Sequence, residues 1–221
     1  MPVLLVAMVL LGLAAGIAVT VVVARFRPPP PRVVVVLVVA ALFVGMALRL
    51  SAVGQLPALP AYLYFVAVGV ALTLIDLDCK RLPNALVLPS YPVVLVLLAV
   101  AALWQHDGAA IVRALIGTAV LFGLYLVLAL IYPAGMGFGD VKLAGVLGAV
   151  LGYLSYAVLL IGAFAGFFLG AVLGLVLIIS RRGSRKSTIP FGPYMIGGAL
   201  VAIFAAEPLA RGYLRMITGS S

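Results

Sequence analysis

The chain alternates long apolar segments with short polar ones, and this pattern predicts a bundle of membrane-spanning helices. About 20 apolar residues form a helix long enough to cross a bilayer, and residues 1–24, 114–139 and 143–180 carry no charged side chain. The pattern predicts helices at about 3–24, 33–50, 61–77, 85–104, 111–132, 141–154, 157–180 and 192–210. The predicted fold class is therefore an all-α polytopic membrane protein with about eight transmembrane helices.

The charge-free stretch from residue 143 to 180 fits either one long helix or two short ones. A single crossing would put the basic cluster at residues 181–186 on the opposite side from the other basic loops, whereas two crossings keep it on the same side. We therefore expect a break near Gly152-Tyr153-Leu154-Ser155, which makes the sixth helix unusually short.

The distribution of basic residues predicts the topology. Cytoplasmic loops carry an excess of lysine and arginine. Ten of the fourteen basic residues follow odd-numbered helices: Arg25, Arg27, Arg32, Lys80, Arg81, Lys142, Arg181, Arg182, Arg185 and Lys186. The odd-numbered loops should then be cytoplasmic and the N-terminus outside. The first apolar segment has no basic residue before it, so it is predicted to be a retained helix rather than a signal peptide.

Composition supports a membrane protein and excludes several other classes. Hydrophobic residues make up 67% of the 221 positions, charged residues 9%, and the mean hydropathy is +1.38. The polar loops are too short for a separate soluble domain, so residues 1–221 are predicted to be one integral-membrane domain. The net charge of +9 lies in short clusters between apolar segments, which is the pattern of membrane topology and not of nucleic-acid binding. The single cysteine, Cys79, excludes an intrachain disulfide.

Glycines recur at four-residue spacing in two of the predicted helices. Gly12 and Gly16 lie in the first helix, and the seventh contains Gly162, Gly166, Gly170 and Gly174. Small residues at this spacing line one face of a helix and let a neighbouring helix approach closely. We interpret both sets as helix-packing surfaces.

Two aspartates border apolar segments and are the main candidates for function. Asp76 follows the apolar segment that ends at Ile75, and Asp140 follows the glycine-rich segment 135–139. A carboxylate at membrane depth is energetically costly and marks a candidate functional site. The fourth and fifth predicted helices lie between the two aspartates, so both carboxylates should face the same, cytoplasmic, boundary.

Two neighbouring carboxylates can hydrolyse a peptide bond without a metal ion. The ionised carboxylate takes a proton from water, and the protonated one polarises the scissile carbonyl. Such a pair shares one proton, because two close negative charges resist forming together. Glycine tolerates unusual backbone conformations and close approach, so Gly137 and Gly139 are predicted to form an active-site turn that lets an extended peptide reach Asp140.

Other interpretations of the aspartates stay open on the residues alone. The two carboxylates could be solvated helix ends or ion-pair partners of Lys80 and Lys142. A cation-coupled transporter would also place carboxylates in a bundle, although nearer to mid-helix. A metal site would need more ligands, and the single histidine, His106, is predicted at the other side of the membrane. No metal is therefore predicted.

Three segments carry recognisable motifs: Ile75-Asp76-Leu77-Asp78-Cys79-Lys80-Arg81-Leu82-Pro83-Asn84, Gly135-Met136-Gly137-Phe138-Gly139-Asp140-Val141-Lys142-Leu143 and Ile189-Pro190-Phe191-Gly192-Pro193. In the first, an aspartate precedes Pro-Asn by seven residues, and the second contains Gly-x-Gly-Asp. With these motifs the chain resembles the prepilin peptidases, the type IV leader peptidase family of membrane aspartyl proteases, and the third segment is similar to that family's last cytoplasmic loop. The resemblance covers about residues 60–200, the family-like core.

The resemblance implies that Asp76 and Asp140 are the catalytic pair and that Gly137 and Gly139 shape the active-site turn. Asp78 is the alternative first carboxylate, but the seven-residue spacing to Pro83 selects Asp76. The remaining candidates for tuning the pair or contacting substrate are Asp78, Lys142, Pro83 and Asn84. Pro190 and Pro193 could equally be plain helix stops.

The function implied by the resemblance is a hydrolase of the cytoplasmic (inner) membrane. Such an aspartyl endopeptidase removes the basic leader from type IV prepilin or pseudopilin-like precursors at the cytoplasmic face and serves type IV pilus assembly or protein secretion. The implied partners are the prepilin and the lipid bilayer, with no nucleic acid. A cation-coupled transporter and a non-catalytic pilus or secretion assembly factor are the alternatives.

The chain departs from many bacterial family members in one respect. Those members carry a cytoplasmic insertion near the N-terminus with paired Cys-x-x-Cys motifs, and they methylate the new pilin N-terminus with S-adenosylmethionine. Here the first basic loop runs only from Arg25 to Arg32, and Cys79 stands alone. The chain resembles a short, peptidase-only form. No cofactor is expected for the peptidase, and S-adenosylmethionine is expected only if the chain also methylates its product.

Overall fold

A computed structural model of the chain describes residues 2–28, 31–131, 136–179 and 190–218. These ranges contain eight α-helices and a one-turn 3-10 helix at Leu56–Ala58, and no strand occurs among them. The α-helices are α1 (Pro2–Val23), α2 (Arg32–Ala52), α3 (Leu59–Cys79), α4 (Asn84–Trp104), α5 (Gly108–Ile131), α6 (Phe138–Leu154), α7 (Tyr156–Ile179) and α8 (Gly192–Thr218). The prediction of an all-α fold is confirmed.

In the described part of the chain, five helices are long and apolar enough to cross a membrane: α1, α2, α3 with its preceding 3-10 turn, α4 and α5. Two shorter apolar helical stretches follow within the described residues, at Tyr156–Val172 and Gly192–Ala205. The chain is thus a multi-pass membrane protein, and eight crossings stay a prediction.

The predicted break between the sixth and seventh helices is present. Ser155 has an extended backbone (φ −174°, ψ 163°) and separates α6 from α7, which leaves α6 with only 17 residues. Three predicted boundaries differ by three residues or more: α5 begins at Gly108 instead of residue 111, α6 begins at Phe138 instead of residue 141, and α8 continues to Thr218 instead of residue 210. The basic cluster at residues 181–186 and the motif residues Gly135 and Ile189 lie outside the described residues.

Close helix contacts occur where the glycine spacing predicts them. A Cβ at Gly12 would lie 2.5 Å from the Cα of Ala40, and one at Gly16 would lie 2.6 Å from the Cα of Val36. Both distances are shorter than real Cβ contacts, so α1 and α2 can pack this closely only because glycine has no side chain. In α7, a Cβ at Gly166 would lie 3.3 Å from the Cα of Met195 in α8, a looser but still close approach. The packing of Gly174 lies outside the described residues.

The bundle has two chemically different ends. At one end a polar network links loops and helices: the Gln105 side chain donates to Gln55 Oε1 (3.0 Å) and to the Tyr153 hydroxyl (3.3 Å). His106 lies at this end, two residues after α4 stops. Asp76 lies in the last turn of α3 and Asp140 in the first turn of α6, so both aspartates lie at the other end. The parity argument from the sequence correctly predicted this arrangement.

Candidate active site

The first carboxylate lies where α3 ends. Asp76 is only 3% exposed. Lys80 takes a left-handed conformation (φ 51°), and its N–H donates to the Asp76 carbonyl at 2.9 Å, which closes the helix. Pro83 then adopts an extended conformation as the N-cap of α4, and Asn84 is the first residue of that helix. The short loop from Lys80 to Pro83 therefore turns the chain back directly beside the Asp76 carboxylate.

The second carboxylate lies in the first turn of α6. Gly137 is the N-cap, and its N–H donates to Asp140 Oδ2 at 3.0 Å. The Asp140 N–H in turn donates to the Gly137 carbonyl at 3.0 Å. This placement corrects the prediction that Gly139 and Asp140 belong to a non-helical glycine turn. The helix begins earlier because the Asp140 side chain caps the exposed N–H group of Gly137, and a negative charge is favourable in a first helical turn.

A third segment supplies a backbone donor to the first carboxylate. Gly192, the first residue of α8, donates its N–H to Asp76 Oδ2 at 3.0 Å, and the bond is buried. A Cβ at Gly192 would lie 2.8 Å from the same oxygen, so any side chain there would push the carboxylate away. Sequence reasoning noted the segment but missed this role of Gly192. The only signal was the position of the glycine between two prolines at a predicted helix start.

Each carboxylate therefore accepts a hydrogen bond from a glycine N–H at the start of a helix. For Asp76 that helix is α8, and for Asp140 it is its own helix, α6. The two aspartates lie close enough to interact electrostatically with each other. Asp140 is 8% exposed, and neither aspartate forms an ion pair within the described part of the chain. The alternative interpretation, in which Lys80 and Lys142 pair with the aspartates, is not supported by these contacts. What remains is a buried pair of carboxyl groups, an arrangement that can carry out acid–base catalysis.

An open cleft of about 360 Å³ reaches both carboxylates. Its wall includes three basic residues, Lys80, Arg81 and Lys142. Their positive charges surround an otherwise acidic site. The cleft also includes the backbone of the Gly137–Asp140 segment, so an extended chain lying in it would run past the first turn of α6.

Lys142 connects the two motif segments. Its ammonium group donates to Asn84 Oδ1 at 3.0 Å and lies 5.0 Å from the centre of the Phe138 ring. Asn84 begins α4, directly after the loop that follows the first carboxylate, and Lys142 follows the second carboxylate by two residues. This hydrogen bond holds together the two chain segments that carry Asp76 and Asp140. Of the predicted tuning residues, Lys142 and Asn84 thus lie in the cleft, while Pro83 shapes the turn.

Asp78, the alternative first carboxylate, does not line the cleft. Its carboxylate forms an ion pair with Arg27, and its side chain is 44% exposed. Arg27 also donates to the Leu74 carbonyl at 3.1 Å, so the loop after α1 is fastened to the end of α3. Because Asp78 is two residues from Asp76, it points to a different side of the helix. The structure brings Asp76, and not Asp78, to Asp140, as the spacing to Pro83 predicts.

A cluster of aromatic side chains packs near the second carboxyl group. Tyr125 of α5 is buried and close enough to Asp140 to interact with it electrostatically. Its ring lies 5.0 Å from that of Phe167 and 6.3 Å from that of Phe191, measured between centroids. Phe191 comes directly before Gly192, so these rings also support the donor to Asp76. Nothing in the sequence distinguishes Tyr125 or Phe167 from other aromatic residues in apolar helices.

The described residues contain no group of three or more histidine, cysteine, aspartate or glutamate side chains that could hold a metal ion. The two aspartates are thus a pair without a third ligand of these types in that part of the chain. The expectation that the chemistry needs no metal stays a prediction.

The fold and the site define an integral-membrane protein with a buried pair of carboxyl groups at one end of a helix bundle. Residues 63–179 match the model of the type IV leader peptidase family. This match covers more than half of the 221 residues, so the chain belongs to that family. The first two segments that carried the resemblance line the cleft, and the third contains Gly192, which donates to Asp76.

Individual relatives agree with the family model. Prepilin leader peptidase/N-methyltransferase of Aeromonas salmonicida (strain A449) is 35% identical over 158 residues, which are 71% of this chain and 53% of that protein. The protein of the same name from Aeromonas hydrophila is 36% identical over 70% of this chain and 52% of its own length. That from Pseudomonas aeruginosa is 31% identical over 66% and 49%. The chain spans about half the length of these relatives, and no solved structure gives a significant match.

Proposed function

We propose that this protein is an aspartyl endopeptidase that removes the basic leader from prepilin or pseudopilin-like precursors. The observation that carries the proposal is the pairing of Asp76 and Asp140, both buried, in one cleft at one end of the bundle. The family and the names of its relatives support the substrate class. The names of those relatives also include an N-methyltransferase activity, which is not part of this proposal.

The proposed reaction needs only water and the two carboxyl groups. The ionised carboxylate takes a proton from a water molecule, whose oxygen attacks the scissile carbonyl carbon, while the other carboxyl group protonates the carbonyl oxygen. The tetrahedral intermediate then collapses as the C–N bond breaks: the leaving nitrogen takes the proton that the first carboxylate removed from water, and the second carboxylate recovers its proton from a hydroxyl of the intermediate. The N–H groups of Gly192 and Gly137 each hold one carboxylate oxygen, which leaves the other oxygen of each residue for water and substrate.

We further propose that the cleft faces the cytoplasm and that the N-terminus lies outside the cytoplasmic membrane. The loop after α1, with Arg27, packs on the same end of the bundle as Asp76, and Lys80, Arg81 and Lys142 line the cleft there. A basic end is the cytoplasmic end by the charge rule. The same positive charges would repel a basic leader, so leader recognition by simple charge attraction is not part of the proposal.

The experiment that tests the function is leader removal from a co-expressed prepilin, read by the mass of the product. Asp76→Asn and Asp140→Asn should each abolish cleavage while leaving the protein in the membrane at the normal level. Asp78→Asn is the matched control, because its carboxylate is paired with Arg27 and lies outside the cleft, and it should cleave normally. Cleavage that persists in Asp76→Asn would refute the assigned pair.

Two further readouts come from the same preparation. Cleavage should continue in the presence of a metal chelator, because the two carboxyl groups carry out both proton transfers, and inhibition would contradict the metal-free mechanism. The mass of the cut pilin also reveals whether a methyl group is added when S-adenosylmethionine is present. The expected product carries none, in keeping with the short first basic loop.

A further inference from the structure

A second cleft of about 450 Å³ lies beside the active-site cleft, between α4, α5 and α6. It is almost entirely apolar and includes Leu88 of α4 and the α5 side chains of Leu115, Ala119 and Phe122. We call it the α4–α5 groove. The side chains of Leu88 and Leu115 are 48% and 51% exposed, so the groove opens toward the surroundings of the bundle and not into the core.

The α4–α5 groove is continuous with the site of chemistry. Phe138 and Lys142 line both the groove and the active-site cleft. Phe138 is 56% exposed and lies two residues before Asp140. A chain that leaves the carboxyl pair past the first turn of α6 would therefore enter the groove directly.

The groove also runs in the direction that a helix entering the bilayer would take. α5 ends near the active-site end of the bundle, so the step from Phe122 back to Leu115 leads away from it. Seven residues of helix rise about 10 Å. On α4, which starts at the active-site end, Leu88 lies one turn into the helix. The groove therefore extends about two helical turns from the cleft toward the middle of the membrane.

The α5 wall leaves room for a helix. Ala119 lines the groove, and four residues later a Cβ at Gly123 would meet no other atom within 4 Å. Small residues at this spacing let two helix backbones approach closely. At Gly12, Gly16 and Gly117 the corresponding space is already filled by a neighbouring helix of this protein. At Gly123 no such neighbour is present among the described residues.

We propose that the α4–α5 groove binds the apolar helix that follows the cleavage point of the prepilin. The proposal rests on the proposed function and adds to it the surface that positions the substrate. The apolar lining matches a membrane helix, and its continuity with the cleft matches a helix joined to the scissile bond. The helix would supply binding energy remote from the cut, which can be used to hold the peptide bond beside Asp76 and Asp140.

Crosslinking in the membrane tests the groove directly. Because Cys79 is the only cysteine, Cys79→Ser gives a cysteine-free protein, and Asp76→Asn prevents the bound prepilin from being cut. In this background Ala119→Cys should form a disulfide with a single cysteine placed in the first two turns of the prepilin helix. The matched control is Leu124→Cys, which is 42% exposed and lies about 140° around α5 from Ala119, so it should crosslink far less.

Cleavage kinetics give a second readout in the otherwise unchanged enzyme. Ala119→Trp fills the groove and should lower kcat/KM for the full-length prepilin at least about tenfold, whereas Leu124→Trp should leave it unchanged. Preferential crosslinking at Ala119 supports the proposal.

Three results would overturn it. If wild type cuts the prepilin but Ala119→Cys crosslinks no better than Leu124→Cys, the groove holds lipid and the proposed function stands. Unchanged kcat/KM in Ala119→Trp would likewise reject the groove alone. If wild type cuts no prepilin from a panel, the proposed function fails and this inference fails with it.

Discussion

At the scale of single residues, the site depends on backbone N–H groups as much as on carboxyl groups. Asp76 accepts from Gly192 and Asp140 from Gly137, both at 3.0 Å. Each donor lies at the start of a helix, where N–H groups lack partners within the helix and negative charge is favourable. Glycine is needed at residue 192 because the Asp76 oxygen occupies the place of a side chain. The two donors therefore fix the orientation of the carboxyl groups in the protein itself.

Gly192→Ala should reduce cleavage while leaving the bundle folded. The added Cβ would lie 2.8 Å from Asp76 Oδ2, so the carboxylate has to move. A displacement of about 1 Å in a catalytic group can cost about 100-fold in rate. We expect kcat to fall between about 10-fold and 100-fold with little change in KM, measured on purified protein with a prepilin substrate.

Gly108→Ala is the control for this substitution. Gly108 begins α5 at the other end of the bundle, and a Cβ there meets nothing within 4 Å. Its cleavage rate should equal that of wild type. Full activity in Gly192→Ala would show that the close contact at Asp76 does not constrain the reaction.

At the scale of elements, the first turn of α6 is held by neighbouring helices. The Tyr91 hydroxyl of α4 donates to the Lys142 carbonyl at 2.6 Å, and the Lys142 side chain donates to Asn84 at the start of α4. α4 thus forms hydrogen bonds with both the backbone carbonyl and the side chain of Lys142, which lies in α6 two residues after Asp140. Pro89 and Pro92 lie inside α4 on either side of this contact. These hydrogen bonds fix the position of Asp140 along the bundle axis relative to Asp76.

Tyr91→Phe should lower both stability and activity. A buried or half-buried hydrogen bond contributes about 1 kcal/mol, and a change of that size in the positioning of Asp140 corresponds to about fivefold in rate. Tyr64→Phe is the control. This variant loses the hydrogen bond between the Tyr64 and Ser90 hydroxyl groups, at 3.2 Å. Neither residue lines the active-site cleft.

Both variants should show a similar small decrease in thermal stability in detergent. Only Tyr91→Phe should cleave prepilin more slowly. Equal rates in the two variants would contradict a positioning role for Tyr91.

At the scale of the whole molecule, two polar clusters lie at opposite ends of the helix bundle. The carboxyl pair, Lys80, Arg81 and Lys142 lie at one end, and the network of Gln55, Gln105 and Tyr153 closes the other. The middle of the bundle is held by close helix contacts, such as those of Gly117 with Gly148 between α5 and α6. Since α6 has only 17 residues, its start at the cleft is set by how it packs against α5.

The exposed Cys79 allows the proposed orientation to be tested without adding a label site. Cys79 lies at the active-site end of α3. A membrane-impermeant thiol reagent should leave it unlabelled in cells with an intact membrane and label it in inside-out vesicles.

The control for this measurement is Ala109→Cys combined with Cys79→Ser. Ala109 is exposed near the start of α5, at the opposite end of the bundle. It should be labelled from outside the membrane. The reverse labelling pattern for the two positions would place the cleft outside and contradict the charge rule for this chain.

The helices and their order could be predicted from the sequence because each apolar segment can satisfy its backbone hydrogen bonds only as a helix in the membrane. The same reasoning placed Asp76 and Asp140 at one end, since two helices separate them. It was less accurate at the start of α6. There the Asp140 side chain caps its own helix, and glycine in the sequence indicated a turn instead.

What the sequence by itself determined is therefore the helical class, the shared end of the two aspartates and, through motif spacing, the choice of Asp76 over Asp78. Only the tertiary structure decided which groups meet those carboxylates. Gly192 is 116 residues from Asp76, and Tyr125 and the α4–α5 groove are formed by helices with similar apolar composition. Periodicity identifies a helix and its length, but which faces of two apolar helices touch depends on packing between segments far apart in the chain.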